Sequence, residues 1–249
     1  MRIEKSKENL DYKNLEIFFN NRAKKFKEDN PYSVTMYQDD KPELVKMRNQ
    51  KETNILLPKL EIQSSSKILD ISCGIGRWVD AIDTNFSMYL GIDFCEDFIK
   101  IAKKRNLTKH NVFFENYNTV DIKKCIDYKS NKFNRVLIIG ALMYLNDIDL
   151  ENVLLDLNEC LEENALIIIR EPIALNNRLT LKNEYSNELV DNYNAIYRSK
   201  DELIKIFNET LCKNGFKIIE NDFLFKDTEL NNRKETSQYY FVLERQIKD

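Results

Sequence analysis

A chain of 249 residues, 43% hydrophobic and 32% charged, holds enough apolar material for one large α/β domain with a well-solvated surface. Its net charge of −3 lacks the basic excess of a nucleic-acid binder, and no apolar run reaches the ~20 residues that cross a bilayer, so neither nucleic acid nor membrane is an expected partner. Five scattered cysteines without a Cys-x-x-Cys pair, one histidine and no signal peptide point to a cytoplasmic protein with reduced thiols and no metal site.

Residues 11–29 place Leu15, Phe18, Phe19, Ala23 and Phe26 at helical spacing, and Asn30-Pro31 is the expected end of that helix. Residues 32–40 read as an aromatic, polar loop, and Pro42 opens a second helical stretch to Leu60. Residues 1–60 thus make an N-terminal helical cap. The core, 61–171, begins with a short apolar strand at Ile68–Ile71, followed by the turn Ser72-Cys73-Gly74-Ile75-Gly76 and a helix from Arg77. Two glycines in such a turn tolerate positive φ and leave room for a ligand beside the free N–H groups of the helix. A second strand, Met88–Asp93, ends in an acid near the ~20-residue spacing at which a carboxylate meets ribose hydroxyls. The plainer reading of Asp93 is an exposed acid capping the next helix, Glu96–Arg105.

A third strand follows at Asn111–Phe114 and a fourth at Phe133–Ile139, ending in Gly140. His110 precedes the third strand at the edge away from the turn and is not expected to act in catalysis. A helix over Ile148–Leu161 leads to the strand Ala165–Ile169, with Arg170-Glu171 at its ligand-facing end. Residues 172–198 exceed an ordinary connection and concentrate Tyr and Arg, which suggests a lid. In the last segment, 199–249, Ser199-Lys200-Asp201-Glu202 is a capping box, Gly215 closes the helix it starts, and Phe216–Phe225 and Gln238–Glu244 read as two final strands.

The turn Asp70-x-Ser72-Cys73-Gly74-x-Gly76 followed by Asp93 resembles the class I S-adenosylmethionine-dependent methyltransferases, in which the turn runs acid-x-Gly-x-Gly-x-Gly. The NAD fingerprint Gly-x-Gly-x-x-Gly is absent, which disfavours an NAD-type oxidoreductase. Ser72 replaces the family's first glycine. The resemblance implies a Rossmann-like, seven-stranded, mostly parallel sheet with an antiparallel C-terminal edge hairpin. It also implies S-adenosylmethionine as cofactor, S-adenosylhomocysteine as product and a small-molecule acceptor. By position in the motifs, the cofactor residues would be Asp70, Ser72, Gly74, Gly76, Asp93, Phe94, Asn118 (Asn116 being the other candidate) and Gly140.

For the acceptor, the cap offers Arg22, Tyr32, Tyr37 and Gln38, and the strand end and lid offer Arg170, Tyr193, Tyr197 and Arg198. A base, where one is needed, would be Tyr144 or Glu171; an ionised acceptor would instead pair with Arg170 or Arg198. Residues 191–198 together with Arg170-Glu171-Pro172 resemble bacterial methyltransferases that tailor surface polysaccharides, including sugars and O-methyl phosphoramidate groups. O-methyl transfer to an anionic or nucleotide-linked metabolite is the resulting expectation. A protein that binds the cofactor without transferring its methyl is the alternative. The oligomeric state is open.

Overall fold

The computed structural model describes residues 1–37, 39–125, 132–226, 230–231 and 233–246. Its elements are β1 (Arg2–Glu4), α1 (Tyr12–Lys24), α2 (Ser33–Met36), α3 (Pro42–Leu56), β2 (Lys67–Ile71), α4 (Arg77–Ala81), β3 (Met88–Asp93), α5 (Glu96–Arg105) and β4 (Val112–Asn116). They continue as α6 (Ile122–Cys125), β5 (Phe133–Ile139), α7 (Asp147–Glu159), β6 (Leu161–Ala174), β7 (Leu179–Ser186), β8 (Asp191–Tyr197), α8 (Lys200–Glu209), β9 (Lys217–Phe223) and β10 (Thr236–Arg245).

Seven strands form the main sheet in the order β4-β3-β2-β5-β6-β10-β9. β2 to β6 pair in parallel, while β10 runs antiparallel to both β6 and β9, so the expected edge hairpin is present. Alternate residues of each strand face opposite sides. Leu69, Ile71, Val136, Ile138, Ile167 and Ile169 pack into one core with residues of α7 and α8. Ile68, Tyr89, Leu137, Leu166 and Ile168 pack into the other with Trp78, Ile99 and Ala102. Burial of this kind stabilises by roughly 25 cal/mol per Å² of apolar surface, which is why these strands read as unbroken apolar runs. Among the described residues, no helix is long and apolar enough to cross a membrane.

Three expectations change. α1 ends at Lys24, five residues before the position expected, and the loop after it contains α2. The last carbonyls of α1 are closed by Lys25 and Phe26 N–H groups, so proline is not what stops it. β6 runs on through Ala174, beyond the expected strand end and into the stretch expected as a lid. The rest of that stretch is β7 and β8, which with the N-terminal β1 make a second, antiparallel sheet of three strands. Ile3 sits opposite Thr180 there, a partner far along the chain that a three-residue polar strand does not announce. The capping box at Ser199 and Glu202 is formed with both of its hydrogen bonds.

Candidate active site

The strand order reverses between β2 and β5, and a cavity of about 520 Å³ opens above the carboxyl ends of the strands there. One half of its wall comes from the core: Ser72, Gly74, Asp93, Phe94, Asn118 and Gly140. The turn after β2 passes through left-handed backbone three times, with φ of 59° at Ser72, 56° at Gly74 and 78° at Gly76. Ser72 therefore adopts a conformation that favours glycine, at a cost of roughly 1 kcal/mol. Gly74 N–H donates to Asp93 Oδ2 and Cys95 N–H to Asp93 Oδ1, each at 2.9 Å. Each oxygen keeps a lone pair, so the buried carboxylate can still accept hydroxyl donors from the cavity. Burial pushes its pKa up to about 6, against the pull of those two backbone donors.

The other half of the wall is aromatic. Tyr37 lies just after α2, with φ of 64°. Its hydroxyl meets that of Tyr144 at 2.5 Å, Tyr144 meets Tyr193 at 3.0 Å, and Tyr197 donates to Tyr193 at 3.4 Å. Phe19 of α1 packs edge-on against both Tyr144 and Phe94, joining the two halves. Burial raises the pKa of Tyr37 to about 12 and holds Tyr144, Tyr193 and Tyr197 above the usual phenol value. These hydroxyls stay protonated near neutrality and serve to bind and orient. Arg170 also lines this half, donating to Glu52 at 2.5 Å and to Gln238 at 3.1 Å.

Several expected residues lie elsewhere. Asp70 is buried beneath the turn, where it accepts the Tyr89 hydroxyl. Gly76 caps α4, and a Cβ there would run into the Phe114 ring. Glu171 faces away from the cavity and accepts the N–H groups of Ala141, Leu142 and Met143 at 2.8, 2.9 and 3.1 Å, so it holds the loop after β5 and is not placed to act as a base. Arg22 is fully buried, paired with Asp39 and stacked over the Tyr37 ring, which it steadies. Tyr32 bonds Asp80 outside the cavity. Gln38 lies outside the described residues. Asn118, and not Asn116, reaches the wall; Asn116 is spent on the carbonyls of Asp93 and Phe94. His110 is exposed just before β4, at the far end of the sheet.

Arg198 is the largest departure. Only 2% exposed, it donates to Asp147 and to the carbonyls of Leu142 and Leu145, and it does not line the cavity. Residues missed include Phe19, Thr35, Arg48 and Glu52 of the cap, and Thr236 and Gln238 of β10. A signal for two of them existed. Arg48 and Glu52 occupy the same buried stripe of α3 as Val45 and Leu56, an odd place for two charges.

The cap packs closely onto the turn at Gly74. A Cβ on Gly74 would come within 2.7 Å of Thr35 Cγ2, on α2. Gly74→Ala is therefore expected to weaken binding of S-adenosylhomocysteine about tenfold or more, through strain at positive φ and displacement of the cap. Adding Thr35→Ser removes the clashing methyl and should recover part of the loss; titration calorimetry on both variants is the check.

A family model described as a methyltransferase domain matches residues 68–164, the stretch that builds the core half of the site. Over that stretch the chain is similar to a methyltransferase domain, and its seven-stranded sheet is consistent with a Rossmann-like methyltransferase fold. It is 25% identical over 116 residues to phosphoethanolamine N-methyltransferase 1 of Caenorhabditis elegans, covering 47% of this chain and 24% of that protein. It is 24% identical over 198 residues to phosphoethanolamine N-methyltransferase of Plasmodium falciparum, covering 63% of this chain and 72% of that one. Among solved structures, phosphoethanolamine N-methyltransferase 1 of Haemonchus contortus, in complex with phosphoethanolamine and S-adenosylhomocysteine, aligns with a TM-score of 0.66. That alignment has 17% identity and covers 93% of this chain and 50% of the other.

Proposed function

We propose that this protein transfers the methyl group of S-adenosylmethionine to a small acceptor bearing an anionic group. The observation that carries this is the cavity, whose core half presents the glycine turn and Asp93 and whose aromatic half, under the cap, has room for a second molecule. The residues fit the cofactor on their own geometry. Gly74 presents bare backbone to the cavity, Asp93 keeps acceptor capacity for ribose hydroxyls, and Phe94, Asn118 and Gly140 border the same space. The cofactor supplies a methyl already activated on a sulfonium.

The chain's own task is then to align the acceptor and to exclude water. Tyr37, Tyr144, Tyr193 and Tyr197 form the wall for this, with Phe19 closing it from α1. With the tyrosines protonated and Glu171 turned away, the wall favours a nucleophile that needs no base: a neutral amine or an ionised oxygen. The relatives' acceptor, a phosphorylated amine, belongs to that class, and Arg170 offers charge for its anion. The O-methyl and surface-polysaccharide reading rests on the motif at 191–198 and is kept as the second possibility.

Release of S-adenosylhomocysteine should be measured with phosphoethanolamine, sugar phosphates, nucleotide-linked sugars and phosphoramidates in parallel. Turnover is expected only with acceptors bearing an anion. Tight cofactor binding with no turnover on any of them would point instead to a protein that binds the cofactor without transferring its methyl.

A further inference from the structure

One cation in the cavity wall is short of hydrogen bonds among the described residues. Arg48 of α3 is 4% exposed, and its Nε and Nη1 are buried without a hydrogen bond among the described residues. The acid one helical turn further on does not serve it. Glu52 gives one oxygen to Arg170 Nε at 2.5 Å and the other to Arg77 Nη2 at 2.6 Å, so a single carboxylate already answers two guanidinium groups. Glu188 exerts a favourable charge on Arg48. Two arginines thus share one buried carboxylate, and Arg48, which lines the same cavity, keeps two nitrogens without an acceptor among the described residues.

Leaving guanidinium N–H groups buried and unpaired is costly, and a planar fork of this kind is matched by the oxygens of a phosphate or carboxylate. Gln238 and Thr236 of β10 line the same wall and can add hydrogen bonds. We propose that Arg48, backed by the Arg170–Glu52–Arg77 cluster, is the oxyanion subsite for the acceptor. This rests on the methyl-transfer reading above and extends it, because it places the acceptor's anion on α3 and β10. The nucleophile is then left toward the tyrosines. Arg198, for which the sequence suggested this role, commits all three of its nitrogens to Asp147, Leu142 and Leu145 and does not line the cavity.

The test is calorimetry on protein saturated with S-adenosylhomocysteine, titrated with inorganic phosphate and separately with acetate, for the wild type, Arg48→Gln and Arg48→Lys. The expected result is a loss of tenfold or more in phosphate or acetate affinity in Arg48→Gln and a smaller loss in Arg48→Lys, with affinity for S-adenosylhomocysteine within twofold of wild type. The stronger of the two anions names the acceptor's group. Unchanged anion affinity in Arg48→Gln would overturn the proposal. So would a parallel tenfold fall in S-adenosylhomocysteine affinity, which would assign the guanidinium to the cofactor's own carboxylate. Should Arg48→Gln not fold, Arg48→Lys, which keeps the charge and loses the fork, decides by the same two criteria. A wild-type chain that binds phosphate through Arg48 but takes no S-adenosylhomocysteine would defeat the methyl-transfer reading alone.

Discussion

Asp93→Ala is expected to weaken S-adenosylmethionine binding by about 1.5–3 kcal/mol, roughly a tenfold to hundredfold loss, through removal of charge-assisted hydrogen bonds to the ribose. The same change orphans the N–H groups of Gly74 and Cys95, which now hold the turn and the start of α5. Stability should therefore fall as well, by about 2 kcal/mol. Calorimetry with thermal unfolding separates the two effects. Unaltered affinity in a folded variant would remove the carboxylate from the site.

The pH dependence has a definite sign. Because burial raises the Asp93 pKa to about 6, the folded state holds a proton there that the unfolded chain has released above about pH 4. Its contribution to stability is thus largest below pH 4 and is lost as pH rises through 6. Cofactor affinity runs the other way, since hydroxyl donors favour the ionised form: it should climb as pH rises through about 6 and level off above. Asp70, pushed up to about 7 by burial beneath the same turn, titrates close by. Asp93→Asn is the control that isolates the step.

Arg198→Ala should be strongly destabilising, at about 3 kcal/mol, since it leaves Asp147 with Arg178 as its remaining guanidinium partner and takes a donor from the carbonyls of Leu142 and Leu145. Burial opposes ionisation of Asp147, but hydrogen bonds and charge from Arg178 and Arg198 prevail and hold its pKa down to about 2. The stabilisation from this pairing is complete above about pH 4 and is lost as pH falls through 2. Arg198→Lys keeps the charge without the fork and should cost less. Chemical denaturation measures both. Had Arg198 gripped the acceptor, the lysine variant would instead raise the acceptor's KM and leave stability nearly untouched, which makes the two roles separable by experiment.

The core half of the site was legible because it is local. Ile68 to Arg77 is one strand, one turn and one helix start in unbroken succession, and Asp93 ends the neighbouring strand, so apolar runs and glycine spacing suffice to bring them together. The seven-stranded, mostly parallel sheet and its edge hairpin followed from the resemblance carried by that same turn, while the order of the strands came from the structure. The aromatic half was legible only in part. Tyr37, Tyr144, Tyr193, Tyr197 and Arg170 were each suspected from their place near strand ends or in the cap, and they do line the cavity.

Which arginine was free was decided by the packing. Arg22, Arg48, Arg170 and Arg198 are alike in the sequence, each beside a plausible strand end or helix face. What distinguishes them is the carboxylate each finds across the fold: Asp39 for Arg22, Glu52 for Arg170, Asp147 for Arg198. Arg48 finds charge from Glu188 and, among the described residues, no hydrogen-bond acceptor for two of its nitrogens. Glu171 was misjudged for the same reason, because the three N–H groups that claim it belong to a loop about 30 residues earlier. Composition and period determine which residues enter the core, since burial follows from the side chain itself. The pairing of a buried charge depends on whatever the tertiary fold carries to within about 3 Å of it, and only the assembled chain contains that information.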